Sequence, residues 1–112
     1  MAQTIKETGH TLTSPWVLGA LEGHGASVIN VFQRDKNGVE SSDILVADVS
    51  QPSIGVGMEI MAAYCAGRRI ILVQRRGIVT SGMLQHMEGK QTVEFDDERS
   101  LATGLRDALQ KA

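Results

Sequence analysis

Ile44-Leu45-Val46-Ala47-Asp48-Val49 is a nearly continuous apolar run, followed at once by Ser50-Gln51-Pro52-Ser53-Ile54-Gly55-Val56-Gly57-Met58-Glu59. A strand that is apolar on both sides of its pleat belongs in a sheet covered on both faces. The proline, serines and glycines that come next make a turn, and Gly57 to Ala66 reads as a helix closed by Gly67. Further on, Ile70-Ile71-Leu72-Val73 is a second buried-type strand. Ser81 to Glu88 is a short helix, Thr92 to Phe95 a third strand, and Arg99 to Lys111 an amphipathic helix carrying Leu101, Leu105, Ala108 and Leu109. Strands alternating with helices predict an α/β fold, a parallel sheet with helices on both faces. Ligands in such sheets bind beyond the carboxyl ends of the strands, so a site is expected just after Val49 and just after Val73.

Before the decisive stretch the pattern is less regular. Val28 to Lys36 reads as a helix with Val28, Val31 and Phe32 on one face; Asn37-Gly38 interrupts it, and Val39 to Ser42 leads into the first clear strand. Gly19, Gly23 and Gly25 mark Leu18 to Ser27 as a loop or short helix, and Thr11 to Val17, with Pro15, suits an edge strand. Residues 1–8 read as a helix end stopped by Gly9. No repeat or linker divides the chain, so its 112 residues are expected to form a single domain over 1–112.

Bulk composition excludes several classes. Hydrophobic residues make up 42% and charged residues 21%, with a net charge of −2, which leaves no electrostatic footprint for a polynucleotide. Arg68-Arg69 and Arg75-Arg76 suffice for one phosphate at most, and a solvated face is the plainer role for Arg75 and Arg76. No apolar segment reaches membrane-spanning length and the first residues lack a signal-peptide core, so the expected location is cytoplasmic. Cys65, the single cysteine, reads as a buried inert thiol. His10, His24 and His86 have no metal-ligand spacing, and neither metal nor cofactor is expected. Met58, Met61, Met83 and Met87 fall at helical spacings suited to core or interface packing, and Trp16 suits packing or base stacking.

The turn after Val49 is where chemistry is possible. Glycines let backbone N–H groups approach an anion, the following helix adds its positive end, and a serine hydroxyl can donate once more. The same residues also serve turns for geometry alone. Glu59, read here in the first turn of the helix, is either a simple partner of the helix dipole or an ionised nucleophile for a sugar carbon. Asp43 immediately precedes the strand and Asp48 lies within it near its carboxyl end, and position alone does not rank them as a second carboxylate.

The run from Ser42 to Ile60 strongly resembles the core motif of 2′-deoxynucleoside 5′-monophosphate N-glycosidases, the phosphate-reading branch of the nucleoside 2-deoxyribosyltransferase superfamily. Similarity extends through Ala63, Gly67, Ile70-Ile71-Leu72 and Ser81-Gly82-Met83-Leu84, and more weakly back to Gly9-His10-Thr11-Leu12-Thr13. The resemblance implies a three-layer Rossmann- or flavodoxin-like fold, here without the family's usual first strand and Gly-rich loop. It implies Glu59 as nucleophile toward C1′ and Asp43 as the acid serving base and sugar. Ser53 with the backbone near Gly55 and Gly57 would cradle the 5′-phosphate; Met58 and Met83 flank these site residues by position, and either could contact a base. Ser81 would reach the phosphate bound by a neighbouring subunit, which implies a homodimer. The expected reaction is hydrolysis of a (deoxy)nucleoside 5′-monophosphate to free base and (deoxy)ribose 5-phosphate. The alternatives are deoxyribosyl transfer, which Ser53 disfavours because the transferases carry an acidic residue thereabouts, and a nucleotide-binding homodimer without catalysis.

Overall fold

In the computed structural model, which describes residues 2–9 and 28–111, β1 (Ile44–Asp48), β2 (Arg69–Arg75) and β3 (Lys90–Phe95) pair in parallel in the order β1-β2-β3. Leu45 faces Ile70 across the first pair and Val73 faces Val93 across the second. The alternation along β2 divides the core. Ile70 and Leu72 point to one face and join Ala47, Val49, Val39, Ile60 and Ala63. Ile71 and Val73 point to the other and join Val93, Phe95, Leu105, Ala108 and Leu109. Helices α2 (Val28–Ser41) and α3 (Ile54–Cys65) cover the first face, and α5 (Glu98–Gln110) with α1 (Ala2–Glu7) covers the second. This is the expected α/β arrangement with helices on both faces.

Local chemistry explains the boundaries. Gly67, at φ +72°, closes α3: the Arg68 amide then reaches back to the Ala63 carbonyl at 2.9 Å. Asp97 and Ser100 form a reciprocal capping box that starts α5. Gly104 lets α5 lie close on β3, because a Cβ there would stand 2.6 Å from Val93 Cγ1. Short α4 (Gly82–His86) follows β2.

Three expectations change. Helix α2 does not stop at Lys36 but runs through Asn37-Gly38 to Ser41. Gly38 and Val39 are buried, and packing on α3 outweighs the roughly 1 kcal/mol propensity cost of a helical glycine. Phe32, expected on an apolar face, is 57% exposed, and Cys65 is exposed rather than buried. Arg75 is exposed, in keeping with a solvated face, and its guanidinium lies 5.2 Å from the Phe95 ring centroid. The strand expected over 11–17, the loop over 18–27, Trp16, His10 and His24 lie outside the described residues. Among those described, no helix is long and apolar enough to cross a membrane.

Candidate active site

The turn from β1 into α3 lies at the carboxyl end of the sheet. Ser53 caps the helix: its Oγ accepts the Val56 amide at 3.2 Å, so α3 begins at Ile54, three residues earlier than the sequence reading. The cap engages the Ser53 oxygen as acceptor and leaves its O–H to donate outward. The Gly57 amide is already bonded to the Ser53 carbonyl at 3.0 Å, so it is not a free donor for an anion. Ile54 and Gly55 hold the first positions of the helix, whose N–H groups have no intrahelical partner.

The β2 carboxyl end supplies the other wall. Ser50 Oγ accepts the Arg75 amide at 3.0 Å, and Asp48 Oδ1 accepts the Ser50 amide at 2.9 Å, tying the two strand ends together. Ser50 was not singled out by the sequence. Ser81 caps α4 by accepting the Met83 amide at 3.1 Å. Between the walls lies a groove of about 1200 Å³ to which Ser50, Ser53, Gly57, Ser81 and Met83 all contribute. Its rim is strongly apolar: Ile54 is 87% exposed, Val79 84% and Met83 75%.

Glu59 does not line that groove. It sits in the second turn of α3, not the first, so the helix-end argument for its ionisation loses most of its force. It is half-buried on the flank toward α2. Burial first, and the Asp35 carboxylate second, push its carboxyl above the usual glutamate range, while Arg34 pulls the other way. The register sets both acidic residues on the facing flanks of the two helices. Glu59 is one turn before buried Ala63 on α3, and Asp35 is one turn before buried Val39 on α2; both core residues share one cluster. Gly55, four residues before Glu59, lies on the same helix face and carries nothing that would cover the carboxylate.

Asp43 is the predicted residue that the fold does not bring in. It is exposed at the amino end of β1, where its carbonyl accepts the Arg69 amide at 3.2 Å, and the charges acting on Glu59 are Asp35 and Arg34. Asp48 ends the strand exposed, in its local turn with Ser50. Asp35 was missed because the reading ended α2 at Lys36. Its signal was a carboxylate four residues before Val39 on one continuous helix.

No family model matches the chain. Relatives do. The zebrafish (Danio rerio) 5-hydroxymethyl-dUMP N-hydrolase is 35% identical over 102 residues, covering 87% of this chain and 71% of that protein. A putative 2′-deoxynucleoside 5′-phosphate N-hydrolase 1 of Syntrophotalea carbinolica is 48% identical over 52 residues, covering 46% of this chain but only 32% of that protein's length. Among solved structures, the Clostridium botulinum CMP N-glycosidase BcmB superposes with a TM-score of 0.76 over 95% of this chain and 83% of its own, at 16% identity. That likeness establishes the shared fold.

Proposed function

The chain belongs to the nucleotide N-hydrolase family of the nucleoside 2-deoxyribosyltransferase superfamily, and on that footing we propose that it hydrolyses the N-glycosidic bond of a (deoxy)nucleoside 5′-monophosphate. The observation that carries this reading is half-buried Glu59, within electrostatic reach of Asp35 across the α2–α3 seam and six residues after the Ser53 cap that opens α3. Six residues separate Ser53 from Glu59, about 9 Å along a helix axis. Helical side chains lean toward the N-terminus, which shortens the gap to the scale between a 5′-phosphate and C1′.

In this mechanism Glu59 attacks C1′ as the carboxylate, the C1′–N bond breaks, and the departing base takes a proton from solvent. Water then attacks C1′ of the glycosyl ester and gives its proton to the Asp35 carboxylate, which passes it to solvent; the ester bond breaks and Glu59 is restored as carboxylate. The Ser53 hydroxyl and the amides of Ile54 and Gly55 hold the phosphate. Free base and (deoxy)ribose 5-phosphate are the products.

Chromatography of incubations with ribo- and deoxyribonucleoside 5′-monophosphates tests the reaction. Free base should appear from a monophosphate and not from the matching nucleoside. A new nucleoside formed when a second base is added would favour transfer, and calorimetric binding without any release would favour a non-catalytic binder.

Replacing Gly55 by alanine separates folding from function. A Cβ there meets no atom within 4 Å, and alanine in a helix is worth roughly 0.5–1 kcal/mol over glycine. Gly55→Ala should therefore melt at a higher temperature, yet lose about tenfold in kcat/KM by crowding the space over Glu59. Unchanged turnover would place the sugar elsewhere.

The exposed apolar rim of the groove supports a homodimer in which Ser81 reaches the phosphate bound by the partner. A dimer buries such a rim, as monomers rarely leave one open. Val79→Asp should weaken the dimer in light scattering and reduce turnover with it. A fully active monomer would reject the shared site.

A further inference from the structure

We propose that Arg34 is a positioning residue for the glycosidic step: by pairing with Asp35 it lets two acidic side chains share the α2–α3 seam. Its Nε donates to Asp35 Oδ1 at 3.0 Å, with the two side chains 36% and 24% exposed. The inference rests on the reading of Glu59 as nucleophile and deepens it.

Adjacent residues on a helix do not face each other, so this contact is not a by-product of register. Lys36 and Glu40 make the ordinary pair on α2, four residues apart at 3.1 Å. Arg34 must instead fold over its neighbour. Two carboxylates brought together in a partly desolvated seam repel, and one of them then takes up a proton. A nucleophile held by such a pair needs a cation nearby to stay ionised at neutral pH.

Among the described residues the other candidates for that cation point elsewhere. Toward α3, the strands present Leu45, Ala47, Val49, Ile70 and Leu72. Arg69 bonds Gln91 and the Ala108 carbonyl on the far side of the sheet, and Arg75 covers Phe95 there. Arg68 donates to the Glu40 carbonyl, and Lys36 is paired with Glu40. The opposed influence of Arg34 on the Glu59 carboxyl agrees with this assignment. Guanidinium suits the task because it stays charged throughout the working pH range.

The test follows the Glu59 side-chain carboxyl by carbon NMR titration without substrate, with Glu59→Gln assigning the signal. Arg34→Gln should raise the Glu59 midpoint by about one pH unit, and the acid limb of kcat/KM should rise with it. Arg34→Lys, which keeps the charge, should restore most of both. Should Arg34→Gln fail to fold, Arg34→Met serves as the neutral variant. A midpoint unmoved in the neutral variant, or moved as far by Arg34→Lys, overturns the role of Arg34. Full base release by Glu59→Gln would instead sink the nucleophile assignment, and the substrate-free titration distinguishes the two failures.

Discussion

Glu59→Gln is expected to abolish base release, with kcat reduced on the order of 10³-fold or more, while the protein becomes slightly more stable at neutral pH. The first effect follows because an amide cannot form the glycosyl ester. The second follows from proton linkage. In the folded chain the Glu59 carboxyl is raised above its ordinary value by burial and then by Asp35. Between the ordinary and the raised value the folded state holds more protons than the unfolded one. The associated stability is complete below the unfolded value and is lost as pH rises through the folded one. At neutral pH the ionised carboxylate is therefore a standing cost, which glutamine removes. The side chain is only half-buried, so solvent screens the effect, and a rise in Tm on the order of a degree or two is expected at neutral pH. At a pH well below the ordinary carboxylate range the gain should vanish. Calorimetry at the two pH values, beside a base-release assay, measures both. An inactive variant that is also destabilised at neutral pH would make Glu59 a structural residue.

Much of this arrangement could be read from the chain, and the parts that could not share a physical cause. β1 and β2 announce themselves because strands buried on both faces are continuous apolar runs, and Gly67 marks a helix end because its left-handed φ is costly for other residues. The start of α3 was displaced because Ser53 captures an amide three residues on, and in the bare sequence a cap competes with other turn chemistries. Helix α2 was cut at Asn37-Gly38 because local propensity disfavours continuation, while burial against α3 is a tertiary effect. That single misjudged boundary hid Asp35 and Arg34. Exposure of Cys65 and Phe32 was illegible for a related reason: an apolar residue at helical spacing says which face it lies on, not whether another element covers that face.

Asp35 and Asp43 can be set against each other by experiment. The resemblance implies Asp43, whereas burial and the neighbouring charge of Asp35 on the facing helix are what raise the Glu59 carboxyl, which favours Asp35. Asp35→Asn should lower kcat about 10²-fold, the usual scale for losing a general base. It should also move the acid limb of the pH profile downward, because removing a neighbouring negative charge lets Glu59 ionise more readily. Asp43→Asn should leave kcat within about twofold and the acid limb in place, since its side chain is exposed at the amino end of β1. The combination discriminates sharply. A merely structural Asp35 would reduce the amount of folded protein without displacing the pH profile of the remainder. A full loss in Asp43→Asn with an active Asp35→Asn would return the proton-transfer role to the strand.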